Sequence, residues 1–460
     1  MSNQTDLLKS LSPSLAILAR ELASEVAKHG GLLFLVGGTV RDLILSNSPD
    51  ELDIEVHGLS ESELLKCLEP KYKLNNVGKS FGVLKLKGFA VEIALPRTEF
   101  KSGFGHTGFS VEIDPNLSFE KAACRRDFTI NAMGLDPLNG KLEDPYEGKK
   151  DLDNKILRHV SPAFIEDPLR VLRGMQFAAR FDLKAHPETI DICKKIGFEG
   201  LASERVFDEW KKLLIKGKTI SAGLNFLKQS NWLSFFPELH ALVECPQDPE
   251  WHPEGDVWTH TLHCMDAFAK KKIGEQWEDL VVGFAILCHD FGKPKTTKIC
   301  EDGRIRSPKH EPHGERPTIS FLSRLTSQKE LINQVVPLVK RHLAPRTFFN
   351  DQAGDSAVRR LARQVHRIDR LIRVAEADIS GRPPRKDEFP EGKWLLKKAE
   401  ELKVKSNAPQ PIILGRHLLS YGLTPGKSFA PILKKCFEAQ LDGEFNDLET
   451  GLTYLSKIIR

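Results

Sequence analysis

The chain has 460 residues, too many for one hydrophobic core, so about two to four domains are expected. Its 40% hydrophobic and 28% charged residues exclude a disordered or fibrous chain, and the formal charge of +4 is too small to argue by itself for a nucleic-acid partner. The most apolar run, Leu280 to Cys288, is far too short to span a bilayer, no signal peptide is expected, and the 8 cysteines show no Cys-x-x-Cys pair, which fits a reducing cytoplasm.

The first predicted element is an amphipathic helix over residues 6–28, with Leu7, Leu8, Leu11, Leu15, Leu18, Leu22 and Val26 at helical spacing and Gly30-Gly31 as its stop. Next comes Leu33-Phe-Leu-Val-Gly-Gly-Thr-Val-Arg-Asp-Leu-Ile-Leu45, an apolar strand ending in two glycines where a helix begins. Glycines at such a turn let backbone N–H groups approach a phosphate, and the helix N-terminus adds a favourable dipole. Leu52-Asp-Ile-Glu-Val-His-Gly58 follows. On a strand Asp53 and Glu55 share a face, and clustered carboxylates call for a cation between them, most commonly a divalent metal. Either feature alone is usually a tight turn or a solvated strand edge. Together they suggest a metal-dependent site for a nucleoside triphosphate.

Ser60 to Leu68 reads as a helix with a Ser60/Glu63 capping box. Val83–Lys87 and Ala90–Ala94 alternate like strands, and Glu92 is either a third carboxylate of the same site or a solvent-facing strand residue. Arg97 to Gly108, rich in glycine and basic residues, reads as a mobile loop. Cys124-Arg-Arg-Asp-Phe-Thr-Ile-Asn-Ala-Met133 offers Arg126 to a triphosphate, with Asp127 to orient the arginines. Ile165-Glu-Asp-Pro-Leu-Arg-Val-Leu-Arg-Gly-Met-Gln-Phe-Ala-Ala-Arg180 opens a helix in which Pro168 fits the first turn and Arg170 and Arg173 lie one turn apart on one face.

These motifs, in this order, resemble the class II tRNA nucleotidyltransferase and poly(A) polymerase family over roughly residues 30–240. The resemblance implies an α/β head of DNA-polymerase-beta-like nucleotidyltransferase type followed by an all-α neck. It implies that Asp53 and Glu55 are catalytic and bind Mg2+, and that Gly37, Gly38, Arg41, Arg126, Asp127 and Arg173 serve the triphosphate. It implies also that Glu166, Asp167 and Arg170 line the base pocket, where a mismatched donor or acceptor would be left unpaired. Two departures stand out. The family's Asp-x-Asp is Asp53-x-Glu55 here, which keeps an anionic oxygen one methylene further out, and a usual arginine is Gln176, which brings no charge.

After Pro246 the composition changes. Trp251-His-Pro-Glu-Gly-Asp-Val-Trp-Thr-His-Thr-Leu-His263, the pair His289-Asp290, His310, His313, His342 and Asp378 supply imidazoles and carboxylates suited to a divalent metal. They resemble the HD phosphohydrolase superfamily, with His260, His289, Asp290 and Asp378 matching its four ligands, His310 and His313 as further ligands or phosphate contacts, and the metal's identity open. The wording is closest to bacterial CCA-adding enzymes that carry an HD domain. Val358 to Ala375 reads as one helix whose Arg359, Arg363, Arg367, Arg370 and Arg373 form either a solvated basic face or a contact for RNA phosphates.

The expected organisation is a multi-domain, mostly helical chain: an N-terminal helix (1–30), the head (31–160), the neck (161–240), an HD domain (241–385) and a helical tail (386–460). The expected function is addition of CCA from CTP and ATP to the 3′ end of tRNA. A-only addition, poly(A) polymerase, or an HD phosphohydrolase with a non-catalytic RNA-binding head are the alternatives. A cytoplasmic location with no membrane partner is expected, and oligomeric state is not legible.

Overall fold

A computed structural model describes residues 7–75, 83–101, 109–384 and 388–459. The chain divides into two compact units, Met1–Phe235 and Phe236–Arg460. The first is α/β and the second almost entirely helical.

In the first unit, helix α1 (Pro13–Lys28) turns Leu18, Ala19, Leu22, Ala23 and Val26 into the core. The single helix expected from residue 6 is instead a short 3-10 turn (Leu7–Ser10) followed by α1. The break is chemical: Ser12 accepts a hydrogen bond from Leu15 N as N-cap, and Pro13 has no N–H to continue an earlier helix.

A seven-stranded sheet follows from β1 (Leu32–Val36), β2 (Leu52–His57), β3 (Leu74–Asn75), β4 (Val83–Leu86), β5 (Val91–Ala94), and two short strands, Gly134–Leu135 and Leu142–Glu143. Strand β1 sits between β2 and the Gly134 strand, antiparallel to both, while β2 runs parallel to β5. Leu52, Ile54 and Val56 point into the core, so Asp53 and Glu55 project from the other face. Helix α2 (Gly37–Ile44) leaves the end of β1 directly, and α3 (Glu61–Leu68) begins with the expected capping box, in which Ser60 N donates to Glu63 Oε2 at 2.8 Å. Arg97–Lys101 and Phe109–Ile113 pair as an antiparallel ribbon, so the expected loop begins as a strand, and the rest of it, residues 102–108, lies outside the described part.

The helices α4 (Phe119–Ala123), α5 (Gly148–Asp153), α6 (Leu169–Phe181), α7 (Pro187–Cys193), α8 (Ser203–Lys216) and α9 (Ile220–Gln229) complete the unit. Helix α6 packs against both α8 and α9.

In the second unit, α10 (Pro237–His240) precedes α11 (Val257–Lys270) and α12 (Gln276–Cys288). Helix α12 is central: every residue from Asp279 to Cys288 is buried. Around it come α13 (Lys293–Thr296), α14 (His310–His313), α15 (Glu315–Leu325), α16 (Lys329–Arg341), α17 (Ala344–Asn350), α18 (Asp355–Val365) and α19 (Ile368–Ser380). Then follow α20 (Pro390–Glu401), α21 (Gly415–Ser420), α22 (Phe429–Asp442) and α23 (Leu448–Ile458), the last three around a small core with Ile413, Leu418 and Leu455.

The helix expected across residues 358–375 is two, α18 and α19, parted at His366, whose φ of 62° and ψ of −39° lie outside the helical region. The arginine face is corrected too. Arg360 and Arg363 pair with Glu438 on α22, and Arg367 and Arg370 pair with Glu278 on α12. Arg373 pairs with Asp279, and Arg359 donates to Leu441 O. These side chains join helices within the unit, Arg363 while still exposed, so the stripe is committed to carboxylates and a backbone carbonyl and is not an open track for phosphates.

Candidate functional site

The end of β1 opens into a cleft of about 810 Å3 in the first unit. Its floor is the β1–α2 turn. Gly37 has a φ of +63°, and a Cβ there would stand 3.1 Å from Arg126 Nη1 and 3.4 Å from Asp53 Oδ2, so only glycine allows this approach. Thr39 ties the turn to β2 by accepting from Asp53 N at 2.9 Å. Helix α2 therefore points its N-terminal amides to the side where Asp53 stands. Burial raises the Asp53 carboxyl above its usual range, with Glu51 adding to the effect and Arg126 opposing it. A half-buried carboxylate without a full counter-charge suits a cation.

The walls are cationic. Arg41, Arg126, Arg170, Arg173, Arg180 and Arg205 all line the cleft, with Lys212 and Lys216 beyond them. Asn131 organises the nearest ones. Arg41 Nη1 donates to Asn131 Oδ1 at 2.6 Å, Arg126 Nη1 donates to Asn131 O at 3.3 Å, and Asn131 Nδ2 donates to Asp127 Oδ1 at 3.0 Å. Asp127 in turn receives Arg173 Nε at 2.6 Å. Burial opposes its charge, but Arg173 and the hydrogen bonds outweigh that and hold the carboxyl below its usual range. Asp127 thus orients an arginine, as its motif suggests. The role of Asn131, an unremarkable polar residue in that motif, depends on contacts that its neighbours in sequence do not announce.

Asp167 and Arg170 also line the cleft. Asp167 accepts from Leu169 N at the start of α6 and from Arg205 at 3.2 Å, while Arg170 donates to the carbonyls of Ala163 (2.9 Å) and Arg125 (2.7 Å). Two sequence candidates are not in the lining. Glu166 ends the 3-10 turn Pro162–Glu166 outside the cleft wall. Glu55 is fully buried: its carboxylate lies 3.2 Å from His57 Nε2, and accepts from Arg126 Nη2 at 3.3 Å and Arg125 Nη2 at 3.4 Å. Burial would raise it, yet His57, Arg126 and Arg125 pull it down to about 2. Glu55 stands in an ion cluster beside the cleft, and reaching a metal means exchanging a guanidinium for it. Glu92 is the neighbour of Asp53 across β2–β5, is exposed, and pairs with Lys85 at 2.6 Å, as a solvent-facing strand residue does.

The second unit gathers its own cluster. His260, Cys264, His289 and Asp378 offer ligand atoms that all lie within 4.8 Å of one another, and Asp290, His310 and His342 form an adjoining set. His260 and Cys264 come from α11, His289 and Asp290 from the end of α12, and Asp378 from α19. Gly292 lets α14 close in, because a Cβ there would fall 1.9 Å from His310 O. His260 Nδ1 donates to Glu254 Oε1 at 2.8 Å, which turns Nε2 toward Asp378 Oδ1 at 3.0 Å. His289 Nε2 and both Asp290 oxygens are buried and face one another and their neighbours: His289 Nε2 lies 3.2 Å and Lys293 Nζ 2.8 Å from Asp290 Oδ2, and His310 Nε2 lies 3.5 Å from Asp290 Oδ1. Buried imidazoles and carboxylates gathered this closely fit a divalent metal. Burial, reinforced by His289 and His310, lowers His342 to about 3, so it is neutral and able to ligate. His313 is exposed, belongs to neither set, and only closes its own turn through Lys309 O. His342, named in sequence among the imidazoles but not among the four ligands, joins the second set, while Cys264, Glu254 and Lys293 were missed as site residues. The i,i+4 spacing of His260 and Cys264 was the one available signal.

A family model for the poly(A) polymerase head domain matches residues 33–158, which takes in the seven-stranded sheet and the cleft residues from Gly37 to Asn131. The multifunctional CCA protein of Stenotrophomonas maltophilia (strain R551-3) is 36% identical over 79% of this chain and 89% of its own length, and that of Acinetobacter baylyi is 36% identical over 79% and 88%. The Bacillus stearothermophilus CCA-adding enzyme in complex with CTP shares the fold at a TM-score of 0.66, with 20% identity and 98% of each chain covered. The Thermotoga maritima CCA-adding enzyme complexed with tRNA gives a TM-score of 0.60 at 21% identity, covering 99% and 98%. The chain belongs to the multifunctional CCA protein family, within the class II tRNA nucleotidyltransferases and poly(A) polymerases. No helix among the described residues is long and apolar enough to cross a membrane.

Proposed function

We propose that the chain is a template-independent RNA nucleotidyltransferase that adds CCA, from CTP and ATP, to the 3′ end of tRNA. The observation that carries this reading is the cleft itself: a strand carboxylate, Asp53, at the amino end of a helix, faced by a wall of arginines. In the transfer, the RNA 3′-oxygen bonds to the α-phosphorus and the bond to pyrophosphate breaks. Asp53, with Glu55 once it releases a guanidinium, would hold Mg2+, which supplies charge neutralisation and a more acidic 3′-hydroxyl. Arg41, Arg126 and Arg173 offset the triphosphate charge while Asn131 and Asp127 hold them in place. Asp167 and Arg170 face the base and present the edges that select it, with Gly37 and Gly38 leaving room for the phosphates.

The second unit is proposed to be a metal-dependent phosphohydrolase of HD type, on the strength of the buried ligand atoms of His260, His289 and Asp378, which lie within 4.8 Å of one another. His260, His289, Asp290 and Asp378 would hold its metal, which would activate water.

Purified protein is supplied with Mg2+ and CTP or ATP separately, on tRNAs ending before C, after one C and after CC. Extension that stops after CCA is the expected outcome. Incorporation of ATP alone onto CC ends indicates an A-adding enzyme, and long A tracts on unrelated RNA indicate a poly(A) polymerase. Phosphoester hydrolysis without any incorporation leaves the HD unit as the working site.

A further inference from the structure

Most cations of the cleft already have a carboxylate. Arg41 has Asp42, Arg126 has Glu55, Arg173 has Asp127, Arg205 has Asp167 and Lys212 has Glu209. Arg180, on the last turn of α6, has no carboxylate within ion-pair distance among the described residues. Its directed hydrogen bond runs from Nη1 to Gln176 Oε1, one turn back on the same helix, at 3.3 Å. Gln176 is buried, with 1% of its surface exposed, so its amide holds Arg180 without supplying charge.

Arg180 also stands among cations. Its guanidinium lies 4.9 Å from the centroid of Phe181, and that of Arg41 lies 4.5 Å from the same ring. Arg173 lies 5.1 Å from the centroid of neighbouring Phe177. Burial, and after it the charge of Arg41, lowers Arg180 to about 10, and burial with Arg180 lowers Lys216 in turn. Lys216 likewise has no carboxylate partner among the described residues. Two aromatic faces relieve part of this repulsion. An anion would relieve the rest.

The cleft has an order. A Cβ on Gly38 would lie 3.7 Å from Asp53 Oδ2 and 3.5 Å from Arg41 Nη2, and Arg41 shares Phe181 with Arg180. These contacts link Asp53 to Gly38, Gly38 to Arg41, and Arg41 to Arg180 through the Phe181 ring that both guanidiniums approach. A nucleoside triphosphate whose α-phosphate lies at Asp53 would lay its tail along this line.

We propose that Arg180, assisted by Lys216, is the subsite for the terminal phosphate of the incoming nucleoside triphosphate, and that Gln176 is the positioning residue that aims Arg180. This rests on the nucleotidyltransferase reading above. Gln176 leaves the positive charge to Arg180 at i+4, whose planar fork keeps donors open for phosphate oxygens.

The test uses the full chain and two kinds of measurement. Calorimetric titration with inorganic tripolyphosphate reads the anion subsite without any reaction, and steady-state incorporation reads KM for CTP and for RNA separately. Arg180→Ala is expected to weaken tripolyphosphate binding about 10- to 100-fold and to raise KM for CTP by a similar factor, with KM for RNA unchanged. Arg180→Lys recovers part of the loss, which shows that charge and not packing is lost. Gln176→Glu gives Arg180 an internal counter-charge and is expected to match Arg180→Ala in tripolyphosphate affinity, whereas Gln176→Leu costs only a few-fold. Unchanged tripolyphosphate affinity in Arg180→Ala overturns the proposal. So does a raised KM for RNA with an unchanged KM for CTP, which would assign the charge to the RNA backbone. If the wild type incorporates no nucleotide yet binds tripolyphosphate through Arg180, the anion subsite stands and the transfer reading fails.

Discussion

At the scale of single residues, Glu55 has the most distinctive setting in the head. Its charge is buried and met by His57, Arg125 and Arg126. A carboxyl held at about 2 in the fold and near 4.5 when unfolded contributes stability that is fully present above pH 4.5 and disappears as pH falls toward 2. The contribution at neutral pH is about 3 kcal/mol by linkage. Glu55→Gln should therefore unfold at lower urea than the wild type at pH 7, and the gap should narrow as pH falls from about 4.5 to 2. Equal urea midpoints at pH 7 would mean that the ion cluster stabilises nothing. The Asp53-x-Glu55 pattern made both residues legible as a pair. It could not reveal that only Asp53 faces the cleft, because that depends on Arg125 and Arg126, about 70 positions away.

At the scale of elements, the regular pieces were legible where local chemistry sets them. The capping box of Ser60 and Glu63, the strand–glycine–helix passage at Val36–Gly37, and Pro168 ahead of α6 were all read from neighbouring residues. The split between α18 and α19 was not, since Val365-His-Arg-Ile368 contains neither glycine nor proline. The arginines of that region were misread for a related reason: a basic stripe looks the same whether it faces water or acidic residues on a distant helix. Arg370 is buried against Glu278 and Gln334. Arg370→Ala should cost about 3 kcal/mol, as removal of one partner of a buried ion pair does, measured by denaturant midpoint. The salt dependence of RNA binding should not change, and a shallower slope would restore Arg370 as a phosphate contact.

At the scale of the whole molecule, the two candidate sites belong to different compact units and share no residue. Separable loss is expected. Asp53→Ala should abolish nucleotide incorporation, with phosphoester hydrolysis retained. His289→Ala should do the reverse and also lower the bound transition metal found by elemental analysis of the protein. A variant that loses both activities while remaining folded would show that the sites depend on each other. Chelation should remove both activities, and Mg2+ should restore incorporation.

The sequence by itself determined the class of the head, the glycine turn, the carboxylate strand and the arginine motifs, because each is a short pattern whose chemistry acts on near neighbours. Tertiary structure alone decided which of these groups meet. It buried Glu55 in an ion cluster, made Asn131 the hinge between Arg41 and Asp127, and brought Cys264, His342 and Glu254 to the second cluster. It left Arg180, among the described residues, with the uncharged amide of Gln176 and no carboxylate. The physical reason is common to all four: a charge or lone pair is defined by what surrounds it, and those surroundings come from residues far away in the chain.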